Sequence, residues 1–468
     1  MTSPREPDFL RSAICFGGVI ATVIVGVLSF GIGLHSLLLI ALVWVAGHAA
    51  AQGFRFEDIK SAMIFGIEKG LGVFFIFFLI GVLIAALIEA GTIGSLIHYG
   101  VDILHPTFFL PAGFLLCSLM SIATGTSWGT IATLGVVLMG LGGVLGIPLP
   151  IVAGVVVSGA CFGDKMSPVS DTTVLAAMSA ETDLYSHIKA MMFTTVPAWI
   201  ISFIAFLLIG LHYSGQVVSA QGLIELKQHL ANEFTISPIA LLPLVVLLVL
   251  SIKRVPAEAS MLASVLVAVV LAVVIQDRAI PAVLNSLNDG YTANTGVEQL
   301  DSLLSGGGIQ RMMWTMSLAL LALALGGLLH RAGFVRVLMS RLLMRIKRTA
   351  TLMATTIGAG VVANMSMGEA YLSIIFCGQT FKPSYESHNL ENQMLSRCLE
   401  EGATLSTPLI PWTTSGAFIT GVLGISPLEY APWALLNYIN PLLSIALAYA
   451  GFGIFRRAQA VRSAAQAA

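Results

Sequence analysis

The chain has 468 residues, 57% of them hydrophobic and 10% charged, and its mean hydropathy is +0.91. A soluble domain carries about 25% charged residues, so a soluble enzyme or binding module is excluded and nearly the whole chain reads as membrane domain. The net charge of −1 leaves no basic footprint for nucleic acid, and the scattered cysteines (Cys15, Cys117, Cys161, Cys377, Cys398) show neither zinc spacing nor pairing and read as packing residues.

Apolar windows predict spans near residues 13–33, 35–52, 70–90, 147–180, 190–212, 236–252, 257–275, 312–330, 395–424 and 430–455. The first is too long for a signal-peptide core and reads as a retained helix. Residues 54–68 form an amphipathic stretch expected on the inner face. Two more regions, 107–143 and 350–381, are apolar but interrupted midway, with arms of about 12–17 residues. A full crossing needs about 20 residues, so both are expected to be re-entrant hairpins. An arm of 12 residues reaches roughly 18 Å, enough to bring its tip near the midplane. The tips are Thr124–Thr130, with Thr124, Thr126, Ser127 and Thr130, and Asn364–Glu369, with Asn364, Ser366 and Glu369.

The segment Ser158-Gly-Ala-Cys-Phe-Gly-Asp-Lys-Met-Ser-Pro-Val-Ser-Asp-Thr-Thr173 lies inside a predicted span. A charge near the bilayer centre costs at least a few kcal/mol, so it faces a cavity and does work. Pro168 breaks the helix. A broken, charged helix at membrane depth is the mark of an ion or substrate site in a secondary transporter. Asp164 and Asp171, the hydroxyls of Ser167, Ser170, Thr172 and Thr173, and the freed carbonyls are the oxygen ligands a hard cation such as Na⁺ wants, by analogy with calcium and magnesium. Lys165 stands beside Asp164 and can offset one carboxylate. A carboxylate withdrawn from water can hold either a proton or a metal cation, and Asp171 is expected to bind the coupling cation as it releases a proton.

With the N-terminus in the cytoplasm, 19 of the 23 basic residues fall at cytoplasmic ends, Lys227, Arg278 and Arg311 fall outside, and Lys165 is intramembrane. That skew follows the positive-inside rule, and it disappears if the topology is flipped or either hairpin becomes a crossing. The termini are therefore expected on the cytoplasmic side of a bacterial inner membrane. The halves also resemble each other. Gly159-Ala160 precedes Pro168 as Gly402-Ala403 precedes Pro411, Ser170-Asp171-Thr172 aligns with Thr413-Thr414-Ser415, Ser127–Thr130 with Ser366–Glu369, and Ala90-Gly91 with Ala332-Gly333, at offsets of 239–243 residues. This predicts an all-α polytopic membrane protein of two inverted repeats, each of five transmembrane helices plus one re-entrant hairpin, with broken helices at the midplane. Residues 1–212 form the first repeat (hairpin 107–143, broken helix 147–180), 213–235 an external linker with an amphipathic stretch around Leu223–Leu230, and 236–468 the second (hairpin 350–381, broken helix 395–424). Thr413, Thr414 and Ser415 carry no charge, so the two half-sites are expected to differ. Glu400 and Glu401 read as a solvated helix end and Glu89 as interfacial. Most of the nine histidines sit at span ends, which argues against a transition-metal site.

Gly125-Thr-Ser-Trp-Gly-Thr130 and Gly163-Asp-Lys-Met-Ser-Pro-Val-Ser-Asp-Thr-Thr173 closely resemble the signature segments of the NhaC-type Na⁺/H⁺ antiporter family. That family is similar to the wider ion-transporter superfamily, with a scaffold domain, a transport domain and two re-entrant hairpins. The resemblance implies a dimeric inner-membrane secondary antiporter that moves its transport domain as an elevator, with Na⁺ and H⁺ as transported ions and no cofactor. It also implies relatives that exchange small organic anions, such as malate for lactate, or amino acids.

Overall fold

The computed structural model describes residues 6–103, 106–213, 220–295, 301, 304–343 and 346–457. The described residues form helices, joined by loops with two isolated β-bridges. Among the described residues nine helices are long and apolar enough to cross a membrane, or up to twelve if each bent pair is one span. Their outward faces carry large apolar residues, such as Leu28, Val43, Ile204, Leu208 and Leu266, as lipid contact requires. The amphipathic stretch of the linker lies in the helix Ala220–Glu233, which turns Leu230 into the protein. The 54–68 stretch forms Phe56–Lys69 and packs on Ile309–Arg331, where a Cβ on Gly66 would lie 2.0 Å from the Leu323 carbonyl oxygen.

Four interruptions organise the interior. Pro106–Thr124 ends at Gly125, whose φ of 71° is left-handed, and Ser127–Val144 follows. Thr349–Met367 ends at Gly368, with φ of 69°, and Ala370–Ser387 follows. Glycine suits both turns because it alone has no Cβ to strain there. The third and fourth interruptions lie at prolines. Leu149–Met166 and Asp171–Ala180 flank Pro168, and a π-helical turn, Glu400–Thr404, leads into the loop around Pro408 and Pro411 before Thr414–Leu423.

The arms of the two interrupted apolar regions are longer than expected. They run 19 and 18 residues in the first (Pro106–Thr124, Ser127–Val144) and 19 and 18 in the second (Thr349–Met367, Ala370–Ser387). Threonine, serine and methionine extend these helices beyond the apolar windows that hydropathy marks, because helix hydrogen bonding does not stop where apolarity does.

Each first arm packs against the broken helix of its own half through small residues. A Cβ on Gly163 would lie 2.5 Å from the Ile122 nitrogen, and one on Gly402 would lie 2.4 Å from the Ile357 carbonyl oxygen. Close backbone approach of this kind needs small residues at the crossing. It lets Ser121 donate to the Ala160 carbonyl at 2.7 Å and Ser167 to the Ile122 carbonyl at 2.8 Å. In the second half the Asn364 amide donates to the Ala403 carbonyl at 2.5 Å, and to Ser406 and Thr407 at 2.8 Å each.

Candidate ion site

The first site forms where the Gly125 turn meets the Pro168 break. Ser127 donates to Asp164 Oδ2 at 2.6 Å, and Ser170 donates to the other oxygen of the same carboxylate. Thr172 sits 3.2 Å from Ser170. Asp164 is thus clasped between two helix ends, and hydrogen bonds to a carboxylate favour its ionised form. Asp171 opens the following helix and is exposed to the adjoining cavity, where the Tyr371 side chain faces it. A carboxylate in the first turn is also favoured by the helix dipole.

The remaining hydroxyls of this region have other work. Thr173 donates to the carbonyls of Asp164 and Lys165 at 3.1 and 3.0 Å, and so ties the two arms of the break together. Thr124 and Thr130 bond back to the Met120 and Thr126 carbonyls, and Thr126 caps the following helix at Gly129.

The second half mirrors this with the roles exchanged. Glu369 caps the helix Ala370–Ser387 and accepts from the Tyr371 N–H at 3.1 Å and from Thr414 Oγ1 at 2.7 Å. In the first half the carboxylate stands on the broken helix and the hydroxyl on the turn. In the second the carboxylate stands on the turn and the hydroxyl on the broken helix. The second break therefore does carry a charge, supplied from across the contact. Thr126 and Glu369 each follow a left-handed glycine, and they are 243 residues apart, as are the caps Ser170 and Thr413. Matching Ser127–Thr130 to Ser366–Glu369 thus sits four residues out of this register. Thr413 caps its helix at Gly416 and donates to the Thr407 carbonyl at 2.5 Å. Ser366 bonds back to Val362 at 2.6 Å.

A cavity of about 570 Å³ joins the half-sites, lined by Gly125, Thr126, Ser127, Asp164, Asp171, Thr172, Glu369, Tyr371, Thr404 and Ser415, and reaching Lys69, Arg254 and Glu258. Tyr371, Glu258 and Arg254 were not legible in the sequence. Tyr371 stands only two residues beyond Glu369, but its neighbourhood with Asp164 and Asp171 depends on long-range packing. If Glu369 takes part in exchange, Glu369→Gln is expected to flatten the pH profile of transport. Dye-monitored exchange in vesicles at stepped pH checks this, and an unchanged profile would reduce Glu369 to a helix cap.

Four sequence expectations are revised here. Lys165 does not offset Asp164. It is fully buried, with Nζ 2.6 Å from Asn440 Oδ1 and 3.8 Å from Glu401 Oε1. Glu400 and Glu401 are not a solvated helix end, because both are fully buried. Glu401 also meets Arg397 at 3.8 Å and accepts from Thr194 at 2.5 Å. Arg397, expected at a cytoplasmic end, is fully buried and bonds the Gly453 carbonyl at 2.9 Å. Glu89, expected to be interfacial, is buried under Arg278 at 3.9 Å. Burial pushes the Tyr291 hydroxyl of the same cluster, together with its bond to Glu233, well above the usual phenol range. These residues flank apolar runs, so hydropathy places them at surfaces; their partners come from distant helices.

Interrupted helices, paired carboxylate–hydroxyl contacts and a shared polar cavity inside an apolar helical bundle define a multi-pass membrane protein of the carrier class. A family model described as "Na+/H+ antiporter family" matches residues 10–180 and 159–452. The chain belongs to this family, in its NhaC branch, and is an antiporter by that membership. It is 35% identical over 442 residues to the Na(+)/H(+) antiporter NhaC of Alkalihalophilus pseudofirmus, covering 94% of this chain and 95% of that one. It is 35% identical to the malate-2H(+)/Na(+)-lactate antiporter of Bacillus subtilis, covering 85% of each chain. It is 31% identical to the arginine/ornithine antiporter ArcD of Halobacterium salinarum, covering 97% and 94% respectively.

Proposed function

We propose that this chain exchanges Na⁺, or Li⁺, for H⁺ across the bacterial inner membrane by alternating access of the elevator type. The observation that carries the reading is Asp164, held by Ser127 from one turn and Ser170 from the break, at the wall of a cavity that also contains Asp171 and Glu369. Carboxylate and hydroxyl oxygens suit a hard cation. Asp164 and Asp171 hold the ion, with Ser127 and Ser170 supplying neutral oxygens. Exchange follows because cation and proton compete for the same carboxylate oxygens.

The wider arrangement fits the same reading. Two inverted repeats, each with a re-entrant hairpin, account for the shared 243-residue register of turns and caps. Each turn meets a broken helix at its break, the contact that a hairpin tip would make. With both termini cytoplasmic, Lys69 and Arg254 mark the cavity as open to the inside. A homodimer is part of this proposal through the family resemblance.

A second reading is exchange of a small organic anion or amino acid, coupled to Na⁺ or H⁺. The cavity volume favours it, being far larger than one dehydrated ion needs, and the malate–lactate and arginine–ornithine relatives point the same way. Proteoliposomes with an imposed pH gradient separate the two. Collapse on Na⁺ or Li⁺ alone supports cation exchange, and collapse only with added malate, lactate or arginine supports the organic substrate. In the same assay Asp171→Asn is expected to slow Na⁺-driven exchange about tenfold or more, the loss of roughly 1.4 kcal/mol of cation binding. A normal rate in that variant would remove Asp171 from the site.

A further inference from the structure

Behind the wall of the cavity stands a carboxylate that the competition just described does not use. Glu400 begins the π-helical turn Glu400–Thr404 and is fully buried. Neither of its oxygens makes a hydrogen bond of ordinary geometry; the Thr404 and Thr172 hydroxyls face it without closing one. π turns inside α-helices are frequent at functional positions. An isolated ionised carboxylate away from water is costly, so such a group holds a proton or a counter-ion.

Its surroundings decide between these. From the Leu149–Met166 helix it faces Lys165, Asp164 and the Cys161 thiol. Its own helix brings Arg397, Cys398 and Glu401, and His187 approaches from Leu184–His212 through Ser396 at 2.7 Å. The two cations share Glu401 as their ion-pair partner, while Arg397 Nε and Nη2 make no hydrogen bond. Lys165 binds Asn440 and Glu401, and Arg397 binds Glu401 and the Gly453 carbonyl. Lys165, Arg397 and Glu401 together carry one surplus positive charge. Asp164 and Glu400 are the two carboxylates beside them; Asp171, exposed to the cavity, lies outside this buried group and is left to solvent. If both are ionised, the group has a charge of −1 and is neutralised by one Na⁺. If the Na⁺ is absent, one proton restores neutrality. Asp164 receives hydroxyl donors on both oxygens while Glu400 receives none, so the proton belongs on Glu400.

We infer that Glu400 is the principal proton-carrying residue of the exchange, loaded when the Asp164 site is empty and unloaded when Na⁺ binds there. This rests on the antiport reading and adds to it a proton site outside the cation's own ligands. On Na⁺ arrival the Glu400 carboxyl O–H breaks, its electron pair stays on the carboxylate, and the proton leaves to cavity water past Thr172 and Thr404, both of which line the cavity.

The test is proton release from the purified full-length protein in weakly buffered detergent on addition of NaCl, with choline chloride as the blank. Wild type is expected to acidify the solution on Na⁺ addition. E400Q is expected to lose most of this release while still binding Na⁺, and E400D to restore it. E400Q releasing protons as wild type does would overturn the inference while leaving antiport intact. A wild type that releases none would sink the antiport reading itself. Should E400Q fail to fold, Na⁺-induced infrared difference spectra decide. Wild type loses a protonated-carboxyl band whose position shifts in E400D, and a band unmoved in E400D overturns the assignment.

Discussion

Asp164→Asn is expected to lower Na⁺-driven exchange by about 100-fold or more, with the protein still folded and inserted. The carboxylate accepts Ser127 on one oxygen and Ser170 on the other. An amide of the same size keeps one acceptor and turns a donor toward a hydroxyl that was itself donating. The cation loses its central anionic ligand, and the turn and the break lose their shared anchor. A hydrogen bond to a charged group is worth about 1.5–3 kcal/mol, and each 1.4 kcal/mol is about tenfold. Loss of two such bonds together with the charge therefore exceeds 100-fold. Ser127→Ala, which removes one donor, is expected to cost about tenfold to 100-fold on the same grounds. Dissipation of an imposed pH gradient in proteoliposomes reads both effects, with size-exclusion profiles to check folding. Exchange by Asp164→Asn within about threefold of wild type, less than 1 kcal/mol, would displace Asp164 from the centre of the site.

Much of this arrangement is legible in the amino-acid sequence. The membrane class, the interruptions at 125, 168, 368 and 411, and the acidic groups Asp164, Asp171 and Glu369 all follow from the cost of polar groups in hydrocarbon. Such a group needs a local reason, and the reason stands in the neighbouring residues: a glycine, a proline, a run of hydroxyls. Orientation of individual side chains was not legible. Asp164 and Lys165 are adjacent, yet Asp164 faces the cavity side and Lys165 faces Asn440, because successive residues on a helix point about 100° apart. Nor could the sequence separate Thr172, in the cavity wall, from Thr173, spent on two backbone carbonyls. The burial of Glu400, Glu401 and Arg397 is hidden from the sequence for a related reason. Clustered charges flanking an apolar run look like a solvated end, and only contacts 200 or more residues away, such as Thr194 with Glu401, show that they are paired inside.

Lys165→Met is expected to produce the largest loss of stability among single substitutions in the buried network. Lys165, Glu401 and Arg397 have fully buried side chains, and Asn440 holds the ammonium from a fourth helix segment. Taking ions out of water is costly, so such a network stabilises only while its members remain paired; removing one partner from a buried pair costs about 3–5 kcal/mol. Methionine fills most of the lysine volume, so the loss is electrostatic rather than a cavity: Asn440 Oδ1 loses its donor, and Glu401 keeps Arg397 and Thr194 but loses its closest match across the two broken helices. Thermal unfolding in detergent, followed by tryptophan fluorescence or light scattering, is expected to drop by several degrees. Lys165→Met combined with Glu401→Gln is expected to recover part of that drop, because the double change removes both members of the pair, and a cycle over the four proteins gives the coupling. The same cycle run between Lys165→Met and Asp164→Asn is expected to be nearly additive, since the lysine reaches Glu401 and Asn440 rather than its neighbour in sequence. Strong coupling between 164 and 165, with none between 165 and 401, would return Lys165 to the ion site and take from the second broken helix its tie to the first.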